Sequence, residues 1–174
     1  LKINLSDQLW TKAVEVGRKR QELEQEGIWT KGWSGRTIET EAVGVMGELI
    51  ICNLFNYKPE FVYGKQDNQD LLIFNKTVDV KTSLQKNGFP IMSYDMLVHK
   101  YQKPKQLYIF VIISEDKRYA LVRGWCDRAT VDKYSTIWIY QNCELLKLSN
   151  QFLYDIELIL PKENKGREDL DGWM

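Results

Sequence analysis

Side chains that could hold a divalent cation and act beside it fall within one short stretch, Asp70-Leu-Leu-Ile-Phe-Asn-Lys-Thr-Val-Asp79-Val80-Lys81. Two β-like runs flank Asn75-Lys76, which reads as a tight turn. With that turn, Phe74 faces Thr77, Leu72 faces Asp79 and Asp70 faces Lys81. Side chains alternate along strands, so Asp70, Asp79 and Lys81 share one face. Opposed residues have Cβ atoms about 4.5–5.5 Å apart and diagonal ones about 7–8 Å, which lets Asp70 and Asp79 reach one ion. On the other face Leu71, Ile73, Val78 and Val80 are all apolar, as a surface turned to the core requires.

The chemistry needs these residue types. Mg2+, with Mn2+ as a substitute, prefers oxygen ligands, keeps several waters and takes one or two protein carboxylates together with substrate phosphate. Asp70 and Asp79 fit that demand, and the Val80 carbonyl could serve as a further ligand. Such an ion polarises a phosphate and acidifies a bound water. Lys81 can orient the nucleophile or offset developing negative charge. Glu48, upstream, can bind a water, a second metal or the lysine. The plainer alternative is a solvated hairpin, in which a cross-strand Asp–Lys pair contributes only about 0.2–1 kcal/mol.

Glu48 must be carried by a helix from about Thr37 to Asn56, where Ala42, Val45, Met46, Leu49, Ile50 and Leu54 predict burial on most sides. Glu41, Gly44 and Glu48 share one stripe of it. Gly44 and Gly47 cost roughly 1 kcal/mol each relative to Ala, so close approach to a neighbour is expected to compensate. Before it, Ser6 caps a helix running to Glu26, and Lys31 to Thr37 reads as a loop. Strands are expected at Phe61 to Tyr63, Asp70 to Phe74 and Thr77 to Ser83, then a helix at Ser93 to Gln102. The apolar run Leu107 to Ser114 predicts a central strand, followed by a strand at Tyr119 to Trp125, a short helix at Asp127 to Tyr134, and strands at Ile137 to Tyr140 and Phe152 to Leu160. The tail from Lys162 is polar. The expected organisation is one domain over 1–174, with a core at about 37–125, an N-terminal helix at 6–26 and a C-terminal extension at 126–174.

Length and composition agree with a single globular α/β domain: 174 residues, 44% hydrophobic and 28% charged. Lys plus Arg number 24 against 24 Asp plus Glu, so no global field draws the chain to a polyanion, and a histone-like binder is excluded. Any nucleic-acid contact must come from local basic surface. Lys86 to Lys105 supplies Lys86, Lys100, Lys103 and Lys105 with interleaved tyrosines, and Lys31, Trp33 and Arg36 lie in the loop before the Glu48 helix. A solvated lysine-rich face and a loop tryptophan packed on the first helix are the structural alternatives. Cys52, Cys126 and Cys143 have neither CxxC spacing nor even number, which points to a reduced cytoplasmic protein without a disulfide framework. No apolar run is long enough to span a bilayer. The group Trp125, Trp138 and Phe152 reads as core or oligomer interface.

Glu48 on a helix, Asp70 opening a strand and Asp79-Val80-Lys81 on the next strand resemble the PD-(D/E)XK nuclease superfamily. The resemblance covers roughly Gly44 to Ser114, including the order helix, three-strand meander, crossover helix and apolar strand. Asn68-Gln69-Asp70 lacks the proline before the first acid, and Asp67 is a rival for that position. The resemblance implies a restriction-endonuclease-like core, a mixed sheet flanked by helices, and metal-dependent phosphodiester hydrolysis with Glu48, Asp70, Asp79 and Lys81 as the catalytic set. DNA is the implied substrate, RNA stays open, and a homodimer is one implied arrangement. The competing functional reading is a nucleic-acid-binding or assembly subunit that keeps the fold without catalysis.

Overall fold

The structure is a computed structural model describing residues 1–26, 37–58, 71–101, 104–140 and 143–170. In chain order its elements are β1 (Lys2–Asn4), α1 (Asp7–Gln25), α2 (Ile38–Leu54), β2 (Leu71–Ile73), β3 (Lys76–Leu84), a 3-10 turn (Ile91–Ser93), β4 (Met96–His99), β5 (Leu107–Ile113), β6 (Tyr119–Asp127), α3 (Arg128–Tyr134), β7 (Thr136–Tyr140) and β8 (Cys143–Leu148). Three further 3-10 turns follow, at Asn150–Phe152, Ile156–Leu158 and Lys162–Asn164. The chain is a mixed α/β protein with a five-stranded sheet, order β1-β6-β5-β3-β2, and a three-stranded sheet, order β4-β8-β7. No described helix is long and apolar enough to cross a membrane.

Both long helices begin where a hydroxyl can take a free backbone N–H. Ser6 Oγ accepts from Leu9 N, and Thr37 Oγ1 accepts from Thr40 N. The helices then pack on one face of the large sheet, where Ala13, Val16, Ala42, Val45, Met46, Ile50 and Leu54 meet Val78, Ile109, Val111 and Val122. The opposite face carries a second core, formed by Tyr108, Phe110 and Ile112 of β5 with Met96, Val98, Val131 and Leu148. Every residue of β5 is therefore buried.

Two glycines set the depth of the helical layer. A Cβ on Gly17 would lie 3.0 Å from Ala42 N, so α1 rides close on α2. A Cβ on Gly47 would collide with Thr82 Oγ1 and lie 3.0 Å from Thr82 Cβ, so α2 rides close on β3. Gly44 has nothing within 4 Å, and the compensation expected for it is absent.

Several sequence expectations need correction. The register of the β2–β3 hairpin differs: Leu71 pairs with Val78, Leu72 with Thr77 and Ile73 with Lys76. The turn is Phe74-Asn75, with φ of 51° and 59°. Two left-handed residues in succession make the primed turn whose twist suits a hairpin. The inward face survives the change, since Ile73 and Val78 are buried and Leu71 and Val80 pack on the same core. The expected helix at Ser93 to Gln102 is instead a 3-10 turn followed by β4. Met96 and Val98 are buried while Leu97 and His99 are half-buried, a period of two that suits pairing with β8. Phe152 to Leu160 forms 3-10 turns around an isolated bridge from Tyr154 to Trp125, so the C-terminal extension owes its strands to β7 and β8. The expected strand at Phe61 to Tyr63 lies outside the described residues.

Candidate active site

Strand β3 has different neighbours along its two edges. β2 accompanies it only over Lys76 to Val78, whereas β5 runs parallel to it from Val78 to Leu84. From Asp79 onward, one edge of β3 has no strand partner among the described residues. Thr77 O accepts from Gln106 N at 3.2 Å, and Gln85 N donates to Ile113 O at 2.8 Å. These bonds fix the odd-numbered backbone groups toward β5. Alternation then turns the Val80 carbonyl to the open edge.

Side chains follow the same rule. Thr82 meets Gly47 of α2, so Asp79 and Lys81 project from the other face, beside their register partners Tyr108 and Phe110. Lys81 Nζ lies 2.7 Å from Asp79 Oδ2, with side-chain exposures of 20% and 10%. Asp79 Oδ2 is buried and accepts no aligned hydrogen bond, so this is a charge contact that leaves acceptor capacity on the carboxylate. A divalent ion needs that kind of donor: a carboxylate oxygen with acceptor capacity to spare, beside a strand edge that has no strand partner among the described residues.

Glu48 is placed differently. Arg20 of α1 grips it with two parallel bonds, Nη1 to Oε1 at 3.2 Å and Nη2 to Oε2 at 2.7 Å. The side chains are 15% and 30% exposed. Gly17 lies one turn before Arg20 and lets the guanidinium reach α2. Glu48 itself follows Gly47, the point where α2 crosses β3. The structure thus brings Asp79 and Lys81 together and, on the other side of the sheet, ties Glu48 to Arg20, so Glu48 is not brought to that pair. Asp70 and its rival Asp67 lie outside the described residues. Among the described residues, no group of three or more His, Cys, Asp or Glu is arranged to hold a metal ion.

Sequence reasoning missed Arg20, which lies in the charged second half of α1. Its three-residue spacing from Gly17 was the available sign, because both then lie on one side of α1.

The basic residues divide. Lys86 is exposed at the end of β3, and its backbone N–H donates to Tyr94 Oη at 2.8 Å. Lys100 is engaged by Glu144 at 2.6 Å, which cancels much of its local charge. Lys105 is only 5% exposed, and its backbone N–H donates to Tyr108 Oη. Lys31, Trp33, Arg36 and Lys103 lie outside the described residues.

All three cysteines are free. Burial pushes the Cys52 and Cys126 thiols up to about 12, with the charges of Glu48 and Asp127 adding to the effect. Both should stay protonated in the folded protein at any ordinary pH, while half-buried Cys143 remains within reach of reagent. Titration with a thiol-reactive dye at pH 8 should therefore label one cysteine per native chain and three after denaturation. Rapid native labelling of two or more would contradict the burial of Cys52 and Cys126.

The chain matches no protein-family model and no curated protein.

Proposed function

We propose that the chain is a Mg2+-dependent nuclease with a restriction-endonuclease-like core, hydrolysing phosphodiester bonds in DNA. The observation that carries this reading is the Asp79–Lys81 pair on β3, beside an edge that has no strand partner from Asp79 onward among the described residues. An antiparallel hairpin followed by a parallel central strand supports the fold assignment, although the crossover between β3 and β5 holds β4 in place of a helix.

Asp79 and the Val80 carbonyl would hold the ion, with Asp70 as the second carboxylate. When bound, Mg2+ would supply Lewis-acid polarisation of the phosphate and a more acidic water. Lys81 stands beside Asp79 to orient that water and to offset charge on the phosphoryl oxygens. Water adds to phosphorus, one P–O bond breaks, and the departing oxygen takes up a proton. Glu48, held by Arg20 on the helical side of the sheet while Asp79 and Lys81 project from the other face, is left out of the proposed step and acts as a structural ion pair between α1 and α2.

A specific observation favours a second reading, binding without hydrolysis. Both described acids are already neutralised by a cation, Asp79 by Lys81 and Glu48 by Arg20. One experiment separates the two. Single-stranded, duplex, flapped and junction DNA are incubated with the purified chain in Mg2+, Mn2+ or EDTA. Cleavage that EDTA abolishes supports the nuclease, and retention of uncut DNA in both metal and EDTA supports the binding module.

A further inference from the structure

Strand β7, Thr136-Ile-Trp-Ile-Tyr140, is exposed along its whole length, with Ile137 at 58%, Trp138 at 39% and Ile139 at 66%. It is an edge strand, paired with β8 on one side and with no strand on the other among the described residues. Natural edge strands are usually guarded by lysine, proline or a bulge. This one has no charge and no proline, and its ladder with β8 runs without a register shift. Ile137 and Ile139 also lie on the sheet face that, at Met96, Val98 and Leu148, covers the second core. That apolar row therefore continues past its cover into solvent.

We propose that this edge is where two copies of the chain associate, β7 against β7 in antiparallel fashion, joining the two small sheets into one. The strand's own pattern selects a second copy. Tyr140 pairs with Cys143 across two residues, and such a hairpin closes on a hydrogen-bonded pair. Alternation then directs the backbone groups of Ile137 and Ile139 outward. A two-fold axis at Trp138 sets Ile137 opposite Ile139 of the second copy and the reverse, and it satisfies all of those outward groups. No charged side chain meets another in this register, because β7 carries none and the nearest rows of β8 bring Glu144 beside Ile139 and Lys147 beside Thr136. The patch is one short strand, well below the roughly 800 Å² per partner of a standard stable interface. The dimer is therefore reversible and concentration-dependent.

In light scattering after gel filtration, the mass should rise from 20.5 kDa toward twice that value as concentration increases. Ile139→Lys, at an exposed position, should remain monomeric with an unchanged far-ultraviolet spectrum. Leu72→Lys, also exposed but on β2 of the other sheet, should dimerise like the parent. The register has its own readout. In a Cys143→Ser background, Trp138→Cys should form an intermolecular disulfide on mild oxidation, since opposed non-hydrogen-bonded residues lie about 4.5 Å apart between Cα atoms, within disulfide reach. Ile137→Cys, facing residue 139, should crosslink several-fold less. A parent chain that stays monomeric overturns the proposal, whatever other strand the edge then proves to take. Dimers that survive Ile139→Lys, or equal crosslinking at 137 and 138, overturn it as well.

Discussion

Asp79→Asn is expected to lower metal-dependent DNA cleavage by about 10²–10⁴-fold while the chain stays folded. Losses of this size are typical when a group that holds or stabilises the reacting centre is removed. The substitution keeps the side chain's volume and removes its charge, so the loss would come from the site and not from a cavity. Lys81→Ala should cost about 10²–10³-fold, and Lys81→Arg should not restore it, because a planar guanidinium does not replace a compact ammonium. The double variant should be little worse than either single one, as residues acting on one centre are strongly non-additive. Thermal unfolding should shift little for the isosteric Asp79→Asn and more for Lys81→Ala, which leaves the buried Asp79 carboxylate without its cation. Single-turnover cleavage of the best duplex or branched substrate measures all of this. Undiminished cleavage by Asp79→Asn would remove β3 from the reaction.

How far the sequence reached can be judged at that same hairpin. The pattern of Leu71, Ile73, Val78 and Val80 marked the inward face, and the i, i+2 spacing of Asp79 and Lys81 was enough to put them together. Both are local consequences of strand geometry. The register was missed because it depends on Phe74 occupying a left-handed conformation, which bulky residues rarely adopt. Here its ring lies edge-on against Phe55, with centroids 5.9 Å apart, a contact between segments that local sequence does not reveal. Met96 to His99 was misread for a related reason. Its partner β8 lies more than forty residues downstream, and β8 had not been read as a strand. Long helices with clear caps and the apolar β5 were legible, because their own residues carry the signal. Ties between distant elements, such as Arg20 to Glu48, were not.

Gly124→Ala should be the most damaging small substitution outside the site. Gly124 has φ of +145°, a region essentially confined to glycine. An added Cβ would run into Tyr154 O and stand 3.0 Å from Leu153 Cβ. The obstacle is backbone, held by a reciprocal pair of bonds: Trp125 N to Tyr154 O at 2.9 Å and Tyr154 N to Trp125 O at 2.8 Å. The Trp125 ring locks it further, donating Nε1–H to Asp155 O at 3.2 Å and packing on Tyr154. Conformational strain of about 1–3 kcal/mol and overpacking of about 1–3 kcal/mol together amount to about 2–6 kcal/mol. For a chain of this length that corresponds to a fall in melting temperature on the order of 10 °C. Gly88→Ala is the matched comparison: φ is +67° but nothing lies within 4 Å, so only the strain remains. Equal melting temperatures for the two variants would show that the Tyr154 segment yields freely.

Burial of β5 on both faces governs how the molecule can come apart. Leu107, Ile109, Val111 and Ile113 belong to one core, and Tyr108, Phe110 and Ile112 belong to the other. Its two long edges are held by β3 and β6. Amides in such a strand exchange with solvent only through openings close to global unfolding. Because β3 is stitched to β5 from Val78 to Leu84, Asp79 and Lys81 are mounted on the slowest-breathing part of the chain. Fraying at the termini, at β7 or at the hairpin tip would leave their spacing untouched.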